Sequence, residues 1–368
     1  MQTVNKTLRG SETSYSKEEQ CNTESSEKVG KHPCKLISAA IEDLIRSFIK
    51  SSPVRNLTKD VIESIIDKAI DSGIVIPIES RYKYEVPHVD PIQALKNKAI
   101  VGVDGGVFPI KLHPVRLILA RSAVFTYSRR IDFDYNLRGI WKSSIAIQQS
   151  LGDSEEQIRR KIREMLLDLE VQTVKEFLNE YGAHIDAFFW DGPLYTSRYL
   201  SKLHSAVKAL TNRSIICVKL VKNSLASRIS QVIKGRGFSD ADIYVAYLGV
   251  NERSSIFVYN DGYASKLADD MKPAFFYLKS PQRVILRYEF PSWVLEEFGI
   301  NYVLDLVYAD LALGNGLSYV IGKADGIARF SDEEKKQLTL HVIKAIRENG
   351  IEDAFFFNER RWARFLSE

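Results

Sequence analysis

The sequence predicts an α/β fold in which a three-strand meander is followed by parallel strands, with helices on the flanks and extra helices towards both ends. Three observations carry this. Three strand-like stretches follow one another from Ala99 with short Arg-rich breaks between them. Two apolar runs, 185–192 and 214–224, then alternate with helical segments, which implies parallel pairing. The closing part of the chain repeats apolar residues at helical spacing. With 368 residues, 45% of them hydrophobic, there is material for one large or two modest cores.

Taken in order, residues 1–34 are rich in Ser, Thr, Glu and Lys and poor in large apolar side chains. Such a segment cannot offset its own ordering entropy and is expected to be a disordered tail. An N-terminal helical segment, 35–95, follows. Leu36, Ala40, Ile41, Leu44, Ile45 and Phe48 mark one amphipathic helix, and Val61, Ile65, Ile66, Ala69 and Ile70 a second after Pro53. The main domain is expected over 96–350. Its first strands are AIVGVD (99–104), the stretch Arg116–Tyr127 and the stretch Ile131–Ile140, and a long amphipathic helix covers 154–181. IDAFFWDG (185–192) and SIICVKLVKNS (214–224) are buried strands around a further helix. Residues 243–290 read as strands with turns at Asn251-Glu252 and Asn260-Asp261-Gly262, and helices close the domain near 293–313, 319–330 and 331–348. Residues 351–368 are a C-terminal segment. Three meandering strands, then helix, strand, helix, strand, is the order of an RNase H-like mixed sheet.

Composition narrows the chemistry. Lys plus Arg total 51 against 47 for Asp plus Glu, a net charge of +4. Nucleic-acid binding therefore has to come from local clustering. No uncharged apolar run is long enough to span a membrane and the start lacks a signal-peptide core, so a cytoplasmic, membrane-free protein is expected. The three cysteines, Cys21, Cys34 and Cys217, show no CxxC spacing, and the six histidines show no HxxxH or HExxH spacing. A disulfide framework and zinc hydrolysis drop out, and with no GxSxG a serine triad does too. A metal would have to be held by oxygen.

The acidic residues supply candidates. Asp104 follows an apolar strand and precedes Gly105-Gly106; Asp191 follows AFFW and precedes Gly192-Pro193. Each Asp-Gly alone is also an ordinary turn. Two of them at the carboxyl ends of neighbouring parallel strands would converge where open α/β sheets bind ligands, and clustered carboxylates suit Mg²⁺ or Mn²⁺. In the long helix, Glu170 lies in the apolar stripe between Leu166 and Val174. Glu176 and Glu164 have acidic or polar neighbours one turn away, as expected of a solvated face. Glu170 is accordingly the third candidate, and a glutamate snorkelling from the edge of the stripe is the plainer alternative.

IVGVDGG (100–106), FFWDGPL (188–194), VKLVKNS (218–224) and GLSYVIGKADGIARF (316–330) together resemble the NurA family of archaeal and bacterial nucleases, over roughly residues 95–345. The resemblance implies an RNase H-like fold, a homodimer, and manganese-dependent cleavage of single- and double-stranded DNA (5′–3′ exonuclease, single-strand endonuclease, or both). It also implies a HerA-type hexameric ATPase partner in double-strand-break end resection and homologous recombination. By position it makes Asp104, Glu170, Asp191 and Asp325 metal ligands, for Mn²⁺ or Mg²⁺ and two ions, and Lys222 a phosphate contact. In the last motif Leu317 stands where tyrosine is usual and Asp325 where histidine is often found. Those departures open an alternative, a catalytically weakened paralogue that binds DNA or regulates the ATPase. An actin-like or sugar-kinase-like ATPase also opens with a strand ending in Asp-Gly-Gly, but FFWDGPL and VKLVKNS match its remaining motifs poorly. Arg129-Arg130, Arg159-Arg160-Lys161, Arg360-Arg361 and Arg364, interleaved with Tyr127, Phe133, Tyr135 and Trp362, suit a single strand, although charge runs are commonly just solvated faces.

Overall fold

A computed structural model of the chain describes Ile41 and residues 57–350, except 113–114, 129–140, 152–153, 223 and 234–237. The expected tail, the first N-terminal helix apart from Ile41, the strand at 131–140 and the C-terminal segment lie outside the described residues.

Among the described residues, eleven strands form one sheet. One end of it comprises β3 (Ala99–Lys111), β4 (Val115–Ser128), β5 (Trp141–Leu151), β6 (Ala187–Asp191) and β7 (Ile216–Val221). These lie in the order β5-β4-β3-β6-β7, with β3, β4 and β5 an antiparallel meander and β3, β6 and β7 parallel. That is the RNase H-like arrangement the sequence predicts. Beyond β7 the sheet continues antiparallel through β11 (Ile285–Pro291), β10 (Pro273–Lys279), β9 (Phe257–Tyr259) and β1 (Val75–Pro77). Two short strands, β2 (Lys83–Glu85) and β8 (Glu252–Ser254), pair with each other, and β8 also pairs with β10.

The helices cover both faces. They are α1 (Lys59–Asp71), α2 (Glu155–Tyr181), α3 (Leu200–Thr211), α4 (Asp240–Tyr247), α5 (Gly299–Leu313), α6 (Tyr319–Ala328) and α7 (Asp332–Glu348), with one-turn helices at Pro91–Ala94 and Trp293–Glu297. α2 starts at a capping box: the Ser154 side chain accepts from Gln157 N–H while Gln157 returns a bond to Ser154 N–H. The main core joins β3, β6, β7 and the inner faces of α2, α3, α5 and α6, with Phe188, Phe189, Trp190 and Val218 fully buried. A second core packs α1 and α4 on the outer strands through Ile66, Tyr244, Phe275 and Tyr277.

The third strand of the described meander is Trp141–Leu151, and the stretch at 131–140 lies outside the described residues. Three elements differ from the sequence reading. Residues 75–85, expected within a helical segment, contribute two short strands. Asp240–Tyr247 is helix rather than strand, because Ser239 and Asp242 form a second capping box that overrides the β-prone residues after it. Finally, β3 does not stop at Asp104: Gly105-Gly106 stay in the strand, paired with Ser122 and Arg121 of β4, and the ladder runs on to Lys111. Those glycines serve close approach rather than a turn. A Cβ at Gly106 would lie 2.3 Å from the Ala328 carbonyl oxygen, and one at Gly105 2.6 Å from Glu170 Oε1.

Candidate active site

The site is a notch in the sheet. β6 ends at Asp191, where Gly192 takes a left-handed conformation (φ +91°) that turns the chain away, while its neighbour β3 continues. The last pair between the two strands is Val103 with Trp190, so Asp104 and Asp191 are the next residues along each strand. Here the expectation of a carboxylate at the end of a parallel strand holds for Asp191, whereas Asp104 sits inside a long strand beside that end.

Alternation along β3 sorts the site residues onto two faces. A Cβ at Gly102 or Gly106 would strike the backbone of α6 at Val320 or Ala328, so Asp104, between them, lies on the α6 face. Asp191 lies on the same face. There Lys222, just past β7, places Nζ 3.2 Å from Asp191 Oδ2. Gly105 points the other way, against Leu166 and Glu170 of α2. On that second face Trp190 Nε1 donates to Glu170 Oε2 at 2.7 Å. Lys219 Nζ lies 3.8 Å from the centre of the Trp190 ring and donates to the Asp191 carbonyl at 3.1 Å. Acids therefore line both lips of the notch.

Charge is tightly packed here. Burial pushes the Asp104 carboxyl up to about 7, aided by the negative charges of Asp191 and Glu170, against the Gly105 N–H that donates to Oδ1 at 2.7 Å and the Lys222 ammonium. Burial likewise raises the Glu170 carboxyl, opposed by Lys219 and the Trp190 bond. It lowers the Lys219 ammonium against the pull of Glu170 and Asp191. A buried carboxylate repelled by two others is stabilised by a cation.

Asp325 lies on α6, the helix that packs on the Asp104 face. On that helix Val320, Ala324 and Ala328 face the sheet, and Tyr319 rests against Phe125 and Tyr127 of β4. Asp325 follows Ala324 and is half-buried, one turn after Ile321. Both its carboxylate oxygens are engaged by Arg329, with Arg329 Nε to Oδ1 at 3.1 Å and Nη2 to Oδ2 at 2.8 Å. The sequence reading missed Lys219 and the role of Trp190. The signal was present: a lysine inside the buried strand ICVKLV requires a partner. It also missed Glu289 and Arg287 of β11. Glu289 Oε2 accepts from the Leu194 N–H at 2.6 Å and Oε1 lies 2.8 Å from Arg228, which ties the chain just past Asp191 to the sheet.

The donor set of Asp104, Asp191, Glu170 and Asp325 is all carboxylate oxygen and fits a hard divalent cation. As arranged, no three potential ligands among the described residues close on a single point.

Among solved structures, the NurA nuclease from Sulfolobus solfataricus is similar to this chain with a TM-score of 0.53 at 14% identity, over 86% of this chain and 98% of that one, which shows a common fold. A second NurA crystal structure has a TM-score of 0.45 at 10% identity, over 87% of this chain and 98% of that one. A NurA structure with manganese has a TM-score of 0.44 at 10% identity, over 85% and 98%. No curated protein matches the chain in sequence. Residues 98–330, more than half of the chain and the whole stretch from β3 to the residue after Arg329, match the NurA domain model, and the chain belongs to the NurA family.

Proposed function

We propose that the protein is a metal-dependent deoxyribonuclease that hydrolyses phosphodiesters at the notch beside β6. The observation that carries this reading is the adjacency of Asp104 and Asp191 on parallel strands with Glu170 on the other lip, an excess of buried negative charge that Lys219 and Lys222 offset in part. Its membership of a family that includes a protein described as a nuclease supports it.

On this reading Asp104, Asp191, Glu170 and Asp325 would hold Mn²⁺ or Mg²⁺, read as two ions, and the metal would supply water activation and charge neutralisation at phosphorus. Asp104 must lose its proton to act as a ligand, and its raised pKa makes metal affinity rise with pH towards neutrality. Lys222, held in the notch by Asp191, donates to a non-bridging phosphate oxygen. Lys219 and Trp190 keep the Glu170 carboxylate in place from behind. The protein works as a homodimer with a HerA-type hexameric ATPase in end resection and recombination, the setting that the family resemblance implies.

The Arg329 pair on Asp325 favours a second reading, a weakened paralogue that binds DNA without cutting it. Cleavage of end-labelled single- and double-stranded DNA with Mn²⁺, Mg²⁺ or EDTA separates the two. The nuclease reading expects metal-dependent products that Asp104→Ala abolishes while DNA binding persists. DNA binding by the wild type with no cleavage in any metal supports the paralogue instead, and cleavage by Asp104→Ala at the wild-type rate refutes the site.

A further inference from the structure

The first turns of α2 and the chain beyond β6 form a groove of about 730 Å³, lined by Ser154, Glu156, Gln157, Arg159, Arg160, Arg163 and Arg198. All four arginines are exposed, against one acid. Their situation contrasts with the α2–α3 seam next to them. There Lys202 is matched by Asp168 at 2.7 Å and Glu164 at 3.6 Å. In the groove four arginines share one lining with a single acid, an excess of positive charge that favours an anion.

Both walls of the groove grow from elements that carry the acids of the notch. On α2, Arg159 and Arg163 precede Glu170 by eleven and seven residues, so at 3.6 residues per turn all three fall in one stripe. Leu166 and Glu170 set that stripe against Gly105. At a rise of about 1.5 Å per residue, Arg163 is about 10 Å and Arg159 about 16 Å along the helix from Glu170. Arg198 stands on the other wall, in the segment that leaves Asp191. Cations spaced along the α2 stripe that carries Glu170 match a ligand with evenly repeated negative charge.

We propose that this arginine groove holds the phosphodiester backbone of a single nucleic-acid strand whose next phosphates occupy the notch. The inference rests on the nuclease reading for its direction, yet the groove can be tested without cleavage. Arginine suits the task, because its planar fork binds phosphate oxygens in pairs and stays charged at every accessible pH. Glu156, the one acid in the lining, is too little to neutralise the groove.

The test is the affinity of single-stranded DNA oligonucleotides in EDTA, measured by fluorescence anisotropy against salt concentration, for wild type, Arg159→Gln/Arg163→Gln, Arg198→Gln and Arg213→Gln. Arg213 bonds Asn179 at the far end of α2 and serves as a control for net charge. Each lost phosphate contact should lower the slope of log affinity against log salt by about 0.7. The double groove variant should weaken binding on the order of 10-fold or more and flatten the gain in affinity as the strand lengthens to about six nucleotides, while Arg213→Gln leaves both unchanged. Equal binding by wild type and groove variants, an equal loss in Arg213→Gln, or no binding by wild type overturns the proposal. Wild type that binds in this way but cuts nothing with any metal defeats the nuclease reading and leaves the groove standing.

Discussion

Adding a single methyl group at Gly105 tests whether Glu170 works. A Cβ there lies 2.6 Å from Glu170 Oε1, 2.9 Å from Leu166 Cδ2 and 3.5 Å from Glu170 Cδ. Non-bonded heavy atoms settle near 3.5 Å, so the carboxylate has to retreat by roughly 0.7–0.9 Å. It is not free to do so at no cost, because Trp190 Nε1 holds Oε2 at 2.7 Å and the fully buried indole cannot follow. Breaking that charge-assisted bond costs about 1.5–3 kcal/mol of stability. The larger effect falls on the reaction, since a displacement of about 1 Å at a positioned catalytic group slows it on the order of 10²-fold. Gly105→Ala should therefore cut metal-dependent DNA cleavage about 100-fold while the far-ultraviolet circular dichroism stays that of the wild type. Glu170→Asp in the same chain withdraws the carboxylate by one methylene, relieves the clash and should restore the melting temperature more than the activity. Wild-type cleavage by Gly105→Ala, within about 2-fold, would refute the reasoning, because the methyl must displace Glu170 Oε1 however the Leu166 side chain yields.

Other perturbations probe the frame. Asp310 is fully buried in α5 and accepts from Val320 N–H at 3.0 Å at the start of α6; burial pushes its carboxyl up to about 7. A carboxyl that binds its proton more tightly when folded favours the fold below pH 3.8, and stability falls as pH rises from there to about 7, by about 4 kcal/mol in all. Asp310→Asn should abolish that slope, so denaturant midpoints of wild type and variant should separate between pH 5 and pH 8; a constant difference across that range contradicts the assignment. Gly102→Ala places a methyl 2.1 Å from the Val320 carbonyl carbon, where rigid helix backbone must shift, and should cost about 3 kcal/mol or more in urea unfolding. Gly322→Ala, in the same helix with nothing within 4 Å, should instead stabilise by about 0.5–1 kcal/mol; a reversed order would mean that α6 does not pack on β3 as described. Glu289→Gln removes the negative charge shared by Arg228 and Arg287, leaving buried cations without a counter-ion, and should cost about 3–5 kcal/mol by the same assay. A loss below about 1 kcal/mol would show that the pair is solvated.

Much of this was readable from sequence because the relevant signals are local. Ser154 followed by Gln157 and a long amphipathic period define α2, and two predominantly apolar runs ending in polar residues define β6 and β7. The position of Glu170 inside an apolar stripe placed it against the sheet, and Asp104 and Asp191 came together because parallel strands in register bring successive motifs side by side. What escaped depends on contacts between distant segments. Gly105-Gly106 has the composition of a turn, and only the approach of Glu170 and Ala328 from two different helices reveals it as a strand that needs clearance. Trp141, Ile145 and Ile147 alternate with polar residues, a weaker pattern than the apolar runs, and β5 escaped the sequence reading. Lys219 looked like a lapse in an apolar strand until Glu170 and the Asp191 carbonyl stood around it.

Because β3 continues past the notch, Asp104 belongs to a ladder with β4 that extends on both sides of it, from Ala99 paired with Ser128 to Lys111 paired with Arg116. Its amide can meet solvent deuterons only when that ladder opens, which makes its exchange rate a reading of the stability of the whole domain. Lys222 sits beyond the last residue of β7 and is under no such restraint. One side of the notch is thus as durable as the fold, and the other can adjust on the much shorter timescale of a loop.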